Sequence, residues 1–190
     1  MRYEIRIAGS GGQGVILAGI ILAEAAILDK FYVIHSQDYG PEARGGNSAS
    51  EVILSDAEID YPKAMGLDLL LALNPKACHE NLPAMKPDGL VIVDSTQVAN
   101  IPWRKTVEVP ISGRTQQKLR NVRVANILAL GTLVPFCGLI SSRSLERAIK
   151  KRMPADSAQL NLSAFREGLK LARHVKEGIK FSEIEGATEV

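Results

Sequence analysis

The first segment whose residue types could do chemistry is GSGGQG at residues 9–14, which has the spacing G-x-G-x-x-G. Glycines at this spacing, between a strand and a helix, let backbone N–H groups approach an anion at the positive end of the helix. The same pattern also occurs in turns that bind nothing, so both interpretations stay open. We expect Gly11 to tolerate a side chain poorly, because the turn needs backbone space there and can demand a positive φ.

A dinucleotide-binding fold also needs an acidic residue at the end of its second strand, where the carboxylate binds the ribose hydroxyls. Here the second strand ends with His35, Ser36 and Gln37, and Asp38 comes only at the start of the next loop. His35 is interpreted as an ordinary strand-end residue. A stand-alone nucleotide-binding dehydrogenase of the Rossmann type is therefore disfavoured, but it is kept as an alternative.

The second segment, YGPEARGGNS at residues 39–48, combines turn residues with one acid and one base. Arg44 precedes two glycines that give it little steric cover, so its planar guanidinium can bind a carboxylate or a phosphate. Glu42 can orient that guanidinium through a charge-assisted hydrogen bond. The alternative interpretation is a surface Glu–Arg pair that contributes little to stability.

The hydrophobic pattern around these segments predicts strands and helices in alternation, recognised by periodicity and by turn residues. The expected elements are a strand at 3–8, a helix buried on most sides at 15–28, a strand at 31–34, a loop at 38–47, and strands at 48–55 and 67–73. Both glycine-rich segments follow strands, so we expect them at one edge of the sheet.

The second half begins with Asn74 and Pro75, residue types preferred at a helix N-cap and first turn. Pro87-Asp88-Gly89 has turn chemistry. Further elements are strands at 90–94 and 106–111, a helical element at 122–140 kinked or ended near Pro135, a short helix around 145–149 and a longer one at 162–175. The pattern predicts an α/β fold, a Rossmann-like layered domain with a mainly parallel sheet flanked by helices and a helical C-terminal part. We expect one domain at 1–177 and a loose tail at 178–190.

Composition limits the classes of function. The 190 residues include 46% hydrophobic side chains, enough for a sizeable core, and a net charge of +2, too small to indicate a nucleic-acid-binding face. Cys78 and Cys137 are expected to be buried thiols, and two cysteines are too few for an iron–sulfur cluster. No metal site is predicted. No signal peptide or membrane span is recognisable, which indicates a cytoplasmic protein.

The two segments at this spacing, followed by SEVILS at 50–55 and IDYP at 59–62, resemble the gamma subunit of 2-oxoacid:ferredoxin oxidoreductases. The YGPEARGG form is most similar to the branch that acts on 2-oxoglutarate. The resemblance covers nearly the whole chain, and the two loops at their spacing make it specific.

The resemblance implies a subunit of a hetero-oligomeric enzyme that is not active alone. Such an enzyme oxidatively decarboxylates a 2-oxoacid, here 2-oxoglutarate, with coenzyme A, and releases succinyl-CoA, CO2 and two electrons. Thiamine diphosphate, Mg²⁺ and iron–sulfur clusters are expected on partner subunits, and this chain lacks the usual thiamine–magnesium signature. The expected partners are alpha, beta and ferredoxin-like delta subunits, with ferredoxin, flavodoxin or a quinone-linked protein as external acceptor.

The resemblance further implies that the glycine-rich segments face the catalytic subunits and help to seat coenzyme A. Arg44 would support catalysis there. The candidate coenzyme-binding residues are Gly9, Ser10, Gly11, Gly12, Gln13, Gly14, Tyr39, Gly40, Pro41, Glu42, Gly45, Gly46 and Ser48. A non-catalytic scaffold, whose loops only pack against partner subunits, is the other alternative.

Overall fold

The computed structural model describes residues 1–40 and 46–178, and a six-stranded sheet lies at its centre. The strands are β1 (Arg2–Ser10), β2 (Tyr32–Tyr39), β3 (Asn47–Ser55), β4 (Leu67–Ala72), β5 (Met85–Asp94) and β6 (Thr106–Val109), in the spatial order β2-β3-β1-β4-β5-β6. β1, β4, β5 and β6 pair in parallel, whereas β3 is antiparallel to β1 and to β2. In this part of the chain only β3 is reversed, which confirms the α/β class and the mainly parallel sheet.

The described ranges contain six α-helices: α1 (Val15–Leu28), α2 (Pro75–Asn81), α3 (Ile111–Arg114), α4 (Ala125–Cys137), α5 (Ser142–Arg152) and α6 (Ala155–Gly178). Alternate strand residues enter two cores. Leu69 and Leu71 pack with α1, α4, α5 and α6 on one face, while Leu70 and Ala72 pack with α2 on the other. The predicted helical C-terminal part is confirmed. Residues 179–190, nearly all of the predicted loose tail, lie outside the described residues.

The loop predicted at 38–47 is shorter in the structure, because β2 and β3 form an extended hairpin. β2 continues through Asp38 to Tyr39, which pairs with Ser48, and β3 begins at Asn47. The prediction of a short strand at 31–34 was therefore wrong in length. Local turn propensity of the Gly- and Pro-rich stretch could not show that an antiparallel partner extends the ladder on both sides of it.

The turn predicted at Pro87-Asp88-Gly89 was also wrong, since these residues lie inside β5. Leu67 pairs with Met85 and Leu69 pairs with Leu90, so β5 carries extra residues opposite β4 and bulges there. A Cβ at Gly89 would lie 2.7 Å from the carbonyl oxygen of Leu67. The Pro-Asp-Gly residues therefore form a bulge in β5, where the backbones of β4 and β5 lie close together.

Pro135 lies inside α4, and the helix ends two residues later at Cys137, as the predicted end near Pro135 required. No helix of the described chain is both long and apolar enough to cross a membrane. Cys78 and Cys137 are buried, as predicted, and burial raises the pKa of both thiols.

His35 lies in the middle of β2 rather than at a strand end, and it contacts a fully buried serine. Its Nε2 is 2.7 Å from Oγ of Ser50. Both side chains lie against Gly19 of α1, where a Cβ would collide with the Ser50 hydroxyl. Burial lowers the pKa of His35 because the charged imidazolium loses water contacts.

This lowered pKa predicts an acid-dependent loss of stability. A histidine whose pKa is lower in the folded state than the ordinary 6.5 contributes stability that is present above that pH and lost as the pH falls below it. We expect the urea midpoint to decrease below pH 6.5, before the carboxylates titrate, and His35→Gln to weaken that decrease. The exposed His79, replaced by Gln, is the matched control. An unchanged pH profile in the His35 variant would contradict the assignment.

Candidate functional site

The two glycine-rich segments meet at one edge of the sheet, as the sequence predicted. Ser10 at the end of β1 pairs with Asn47 at the start of β3. The Gly11 N–H donates to the Gly46 carbonyl at 2.7 Å, and the Gly40 N–H donates to the Asn47 carbonyl at 2.6 Å. The carboxyl end of β1 and both ends of the hairpin loop therefore form one continuous surface.

Two glycines of the strand-to-helix turn have a positive φ, and Gly11 is not one of them. Gly12 has φ +93° and Gly14 has φ +74°, a region that L side chains rarely adopt, whereas Gly11 does not have a positive φ. The expectation that Gly11 demands a positive φ was therefore wrong. Gly14 is the N-cap of α1, so its left-handed backbone turns the chain into the helix.

A side-chain network holds this turn in place. Oε1 of Gln13 accepts from the Ser10 N–H at 2.6 Å and from Nδ2 of Asn74 at 3.3 Å. Nδ2 of Asn74 also donates to Oγ of Ser10 at 2.9 Å, while its Oδ1 accepts from the Ala77 N–H at 2.8 Å. Gln13 thus positions the turn. The predicted cap of α2 by Asn74 is confirmed, and its contact with the glycine turn is an additional role that sequence reasoning missed.

Asn126 is a second residue that sequence reasoning missed. It is 4% exposed near the start of α4, and its Nδ2 donates to the Gly14 carbonyl at 3.1 Å. Its Oδ1 is buried and has no hydrogen-bond partner among residues 1–40 and 46–178. The sequence feature that could have indicated this role is an amide side chain in an otherwise apolar run. A buried polar side chain normally has a specific hydrogen-bond partner.

Gly12 and Gly14 offer a matched pair of variants. A Cβ at Gly14 would lie 2.5 Å from Nδ2 of Asn126, whereas a Cβ at Gly12 has nothing within 4 Å. We expect Gly12→Ala to cost about 1–2 kcal/mol from the left-handed backbone alone. Gly14→Ala should cost about 1 kcal/mol more, because it also displaces the Asn126 hydrogen bond. Urea unfolding measures both losses, and equal values would show that Asn126 does not support the turn.

A cavity of about 470 Å³ opens between the two segments. The first turn of α1 borders it, with no side-chain cap and no acidic residue in that turn, so its backbone N–H groups favour an anion. Half-buried Ile16 and Ile20 and the exposed Tyr39 give the cavity an apolar wall. The site therefore fits a ligand with an anionic part and an apolar part.

Of the predicted site residues, eight line this cavity: Ser10, Gly11, Gly12, Gly14, Tyr39, Gly40, Gly46 and Ser48. Gly9 and Gln13 do not line it, and both lie behind the turn, where a Cβ on Gly9 would meet Oε1 of Gln13 at 2.5 Å. The remaining predicted residues, Pro41, Glu42, Arg44 and Gly45, lie outside the described residues. Within the described ranges, no group of three or more His, Cys, Asp or Glu could hold a metal ion.

Comparison with known proteins decides the family. The family model for pyruvate ferredoxin/flavodoxin oxidoreductases matches residues 4–171. The chain belongs to this oxidoreductase family. A 2-oxoglutarate synthase subunit KorC from Methanothermobacter marburgensis is 42% identical to it over 189 residues, which cover 95% of this chain and 100% of that subunit.

Solved structures of family members agree with the fold. The gamma subunit of a keto/oxoacid ferredoxin oxidoreductase from Geobacter sulfurreducens matches this oxidoreductase chain with a TM-score of 0.83 and 40% identity, over 92% of this chain and 98% of that one. A 2-oxoglutarate:ferredoxin oxidoreductase from Magnetococcus marinus, with 2-oxoglutarate, coenzyme A and succinyl-CoA bound, matches with a TM-score of 0.80 and 25% identity. That match covers 91% of this chain but 31% of the Magnetococcus chain, so this fold forms one part of a longer polypeptide there.

Proposed function

We propose that this chain is the gamma subunit of a multi-subunit 2-oxoglutarate oxidoreductase. The observation that carries the proposal is the 42% identity to a 2-oxoglutarate synthase subunit along essentially the full length of both chains. A stand-alone dehydrogenase is disfavoured, because the chain matches a subunit from end to end.

The proposed reaction converts 2-oxoglutarate and coenzyme A into succinyl-CoA, CO2, one proton and two electrons. Thiamine diphosphate with Mg²⁺ supplies the carbanion chemistry and iron–sulfur clusters carry the electrons, and we place both on alpha, beta and ferredoxin-like delta partners. Ferredoxin, flavodoxin or a quinone-linked acceptor takes the electrons away. We propose that this chain contributes by binding and orienting coenzyme A.

The cavity between the two glycine-rich segments is the proposed coenzyme A contact. The uncapped first turn of α1 fits the phosphate groups, and the wall of Ile16, Ile20 and Tyr39 fits the less polar arm. Both walls belong to a surface that is open to solvent, since Tyr39 is 63% exposed. A partner subunit that covers this surface would close the site and exclude water from it.

Assembly is the first experiment. The tagged chain, co-expressed with its partner subunits under low oxygen, should purify as a coloured complex with iron and labile sulfide. Expressed alone it should be colourless and free of thiamine diphosphate. Stoichiometric cluster absorbance in the isolated chain would refute the division of roles proposed here.

Hydrogen exchange in the assembled complex separates a coenzyme contact from a scaffold. We expect coenzyme A to slow amide exchange in residues 9–17 and 39–48, whereas α5, far along the chain, serves as the internal control. A scaffold whose loops only pack against partners predicts slow exchange on assembly and no further change when coenzyme A is added.

A further inference from the structure

A second cavity, of about 250 Å³, lies at the carboxyl ends of the four parallel strands. Each strand contributes a residue at or just beyond its end: Gln13 after β1, Leu73 after β4, Asp94 in β5 and Ser112 after β6. β1 leads into α1 on one face of the sheet, and β4 leads into α2 on the other, so the connections diverge here. Open α/β sheets bind ligands at this kind of switch point.

Asp94 supplies a fixed carboxylate to this cavity. The residue is 2% exposed, its Oδ1 accepts from the Thr96 N–H at 3.1 Å, and its Oδ2 accepts from the Ser112 N–H at 3.1 Å. Each carboxylate oxygen can accept more than one hydrogen bond. The two backbone donors therefore hold the carboxylate in one orientation and leave it able to accept from a ligand.

Arg123 lines the same cavity, but the two charges do not pair. Among the described residues, no acid lies within 4.0 Å of the Arg123 guanidinium, whereas the neighbouring Arg114 and Lys118 both form ion pairs with Glu167. Asp94 and Arg123 therefore line one cavity without forming an ion pair, so a gap of more than 4.0 Å separates the carboxylate from the guanidinium. A ligand that fills the gap needs hydrogen-bond donors at one end and an anion at the other.

We propose that this cavity binds a ribonucleotide with free 2′- and 3′-hydroxyls, such as AMP. Adjacent ribose hydroxyls are donors that match the two oxygens of Asp94, and the phosphate matches Arg123. Val122, which is 55% exposed at the cavity, gives an apolar surface for the base. The site is distinct from the proposed coenzyme A contact, because the ribose of coenzyme A carries a phosphate on its 3′-oxygen and cannot present both hydroxyls.

Calorimetric titration of the full chain with AMP tests the proposal. We expect saturable binding, which Arg123→Gln weakens about ten- to a hundredfold through loss of a charge-assisted hydrogen bond. Arg120→Gln removes an exposed arginine three residues away that does not line the cavity, so it is the matched control and should leave affinity unchanged. 2′,3′-Dideoxy-AMP and coenzyme A should both bind more weakly than AMP at this site.

Several results would overturn the proposal. If inorganic phosphate binds as tightly as AMP, the cavity is only an anion-binding site. If glycine displaces AMP, the ligand of the cavity is an amino acid and not a nucleotide. Equal losses in the Arg120 and Arg123 variants would indicate general charge attraction. Asp94→Asn, checked by thermal unfolding for an intact fold, should weaken AMP but not phosphate, and unchanged AMP affinity would refute the role of Asp94. None of these results bears on assembly with partner subunits.

Discussion

We expect the replacement of Arg44 by Ala to lower the turnover or the coenzyme A affinity of the assembled complex by about ten- to a hundredfold, because a charge-assisted hydrogen bond typically contributes about 1.5–3 kcal/mol. Arg44 lies in the segment that leaves the sheet edge at Gly40 and returns at Gly46, and both of these glycines line the cavity. We propose that the Arg44 guanidinium binds a phosphate of coenzyme A or the carboxylate of the substrate.

Two further variants make the Arg44 result specific. Arg44→Lys should recover only part of the activity, since an ammonium cannot reproduce the two parallel hydrogen bonds of a guanidinium. Arg147→Ala removes an exposed arginine on α5 and should leave the kinetic constants unchanged. Wild-type constants in an assembled Arg44→Ala complex would remove Arg44 from the site, and a loss of assembly with normal kinetics would assign it to the subunit interface.

Gly131→Ala should destabilise the fold by about 3 kcal/mol, near the upper end of the usual cost of overpacking. α4 and α6 cross at this point with their backbones in contact, so a Cβ on Gly131 would collide with the Phe165 carbonyl and lie 2.9 Å from the Leu169 backbone nitrogen. In a domain of this size, such a loss lowers Tm by roughly 6–12 °C. Thermal unfolding of the isolated chain measures the shift.

The direction of the stability change at Gly131 shows whether the two helices are in contact. If the helices were not in contact, Ala in place of a mid-helix Gly would stabilise the helix by about 1 kcal/mol. Gly168 is the facing residue, and a Cβ there would collide with the Leu128 carbonyl. We expect Gly168→Ala to be destabilising too, and the double variant to lose less than the two losses added together, because both relieve the same contact by separating the helices.

Much of the fold could be predicted from the sequence, because its elements have clear local signals. The apolar run at residues 15–28 became α1 with the predicted bounds, and Asn74 caps α2 as its residue type indicated. The length of β2 and the bulge in β5 could not be predicted, because they depend on neighbouring strands. The register with β3 carries β2 to Tyr39, and the register with β4 sets the bulge near Gly89.

The candidate site shows the same division. The glycine-rich segments were predicted to share one edge of the sheet, and the structure confirms it because β1 and β2 run in the same direction. The amides that hold the turn, Asn74 and Asn126, are 60 or more residues away from it along the chain. Only the folded chain brings them to Ser10 and Gly14, so spacing in the sequence could not indicate their role.

The most direct test of the proposed function is coenzyme A-dependent oxidation of 2-oxoglutarate, measured as reduction of a low-potential dye by complexes assembled with and without this chain. We predict that the complete complex forms succinyl-CoA, that omission of the chain abolishes or severely lowers the reaction, and that the isolated chain neither oxidises 2-oxoglutarate nor reduces NAD. Full activity without this chain, or activity of the chain alone, would contradict its assignment as a gamma subunit.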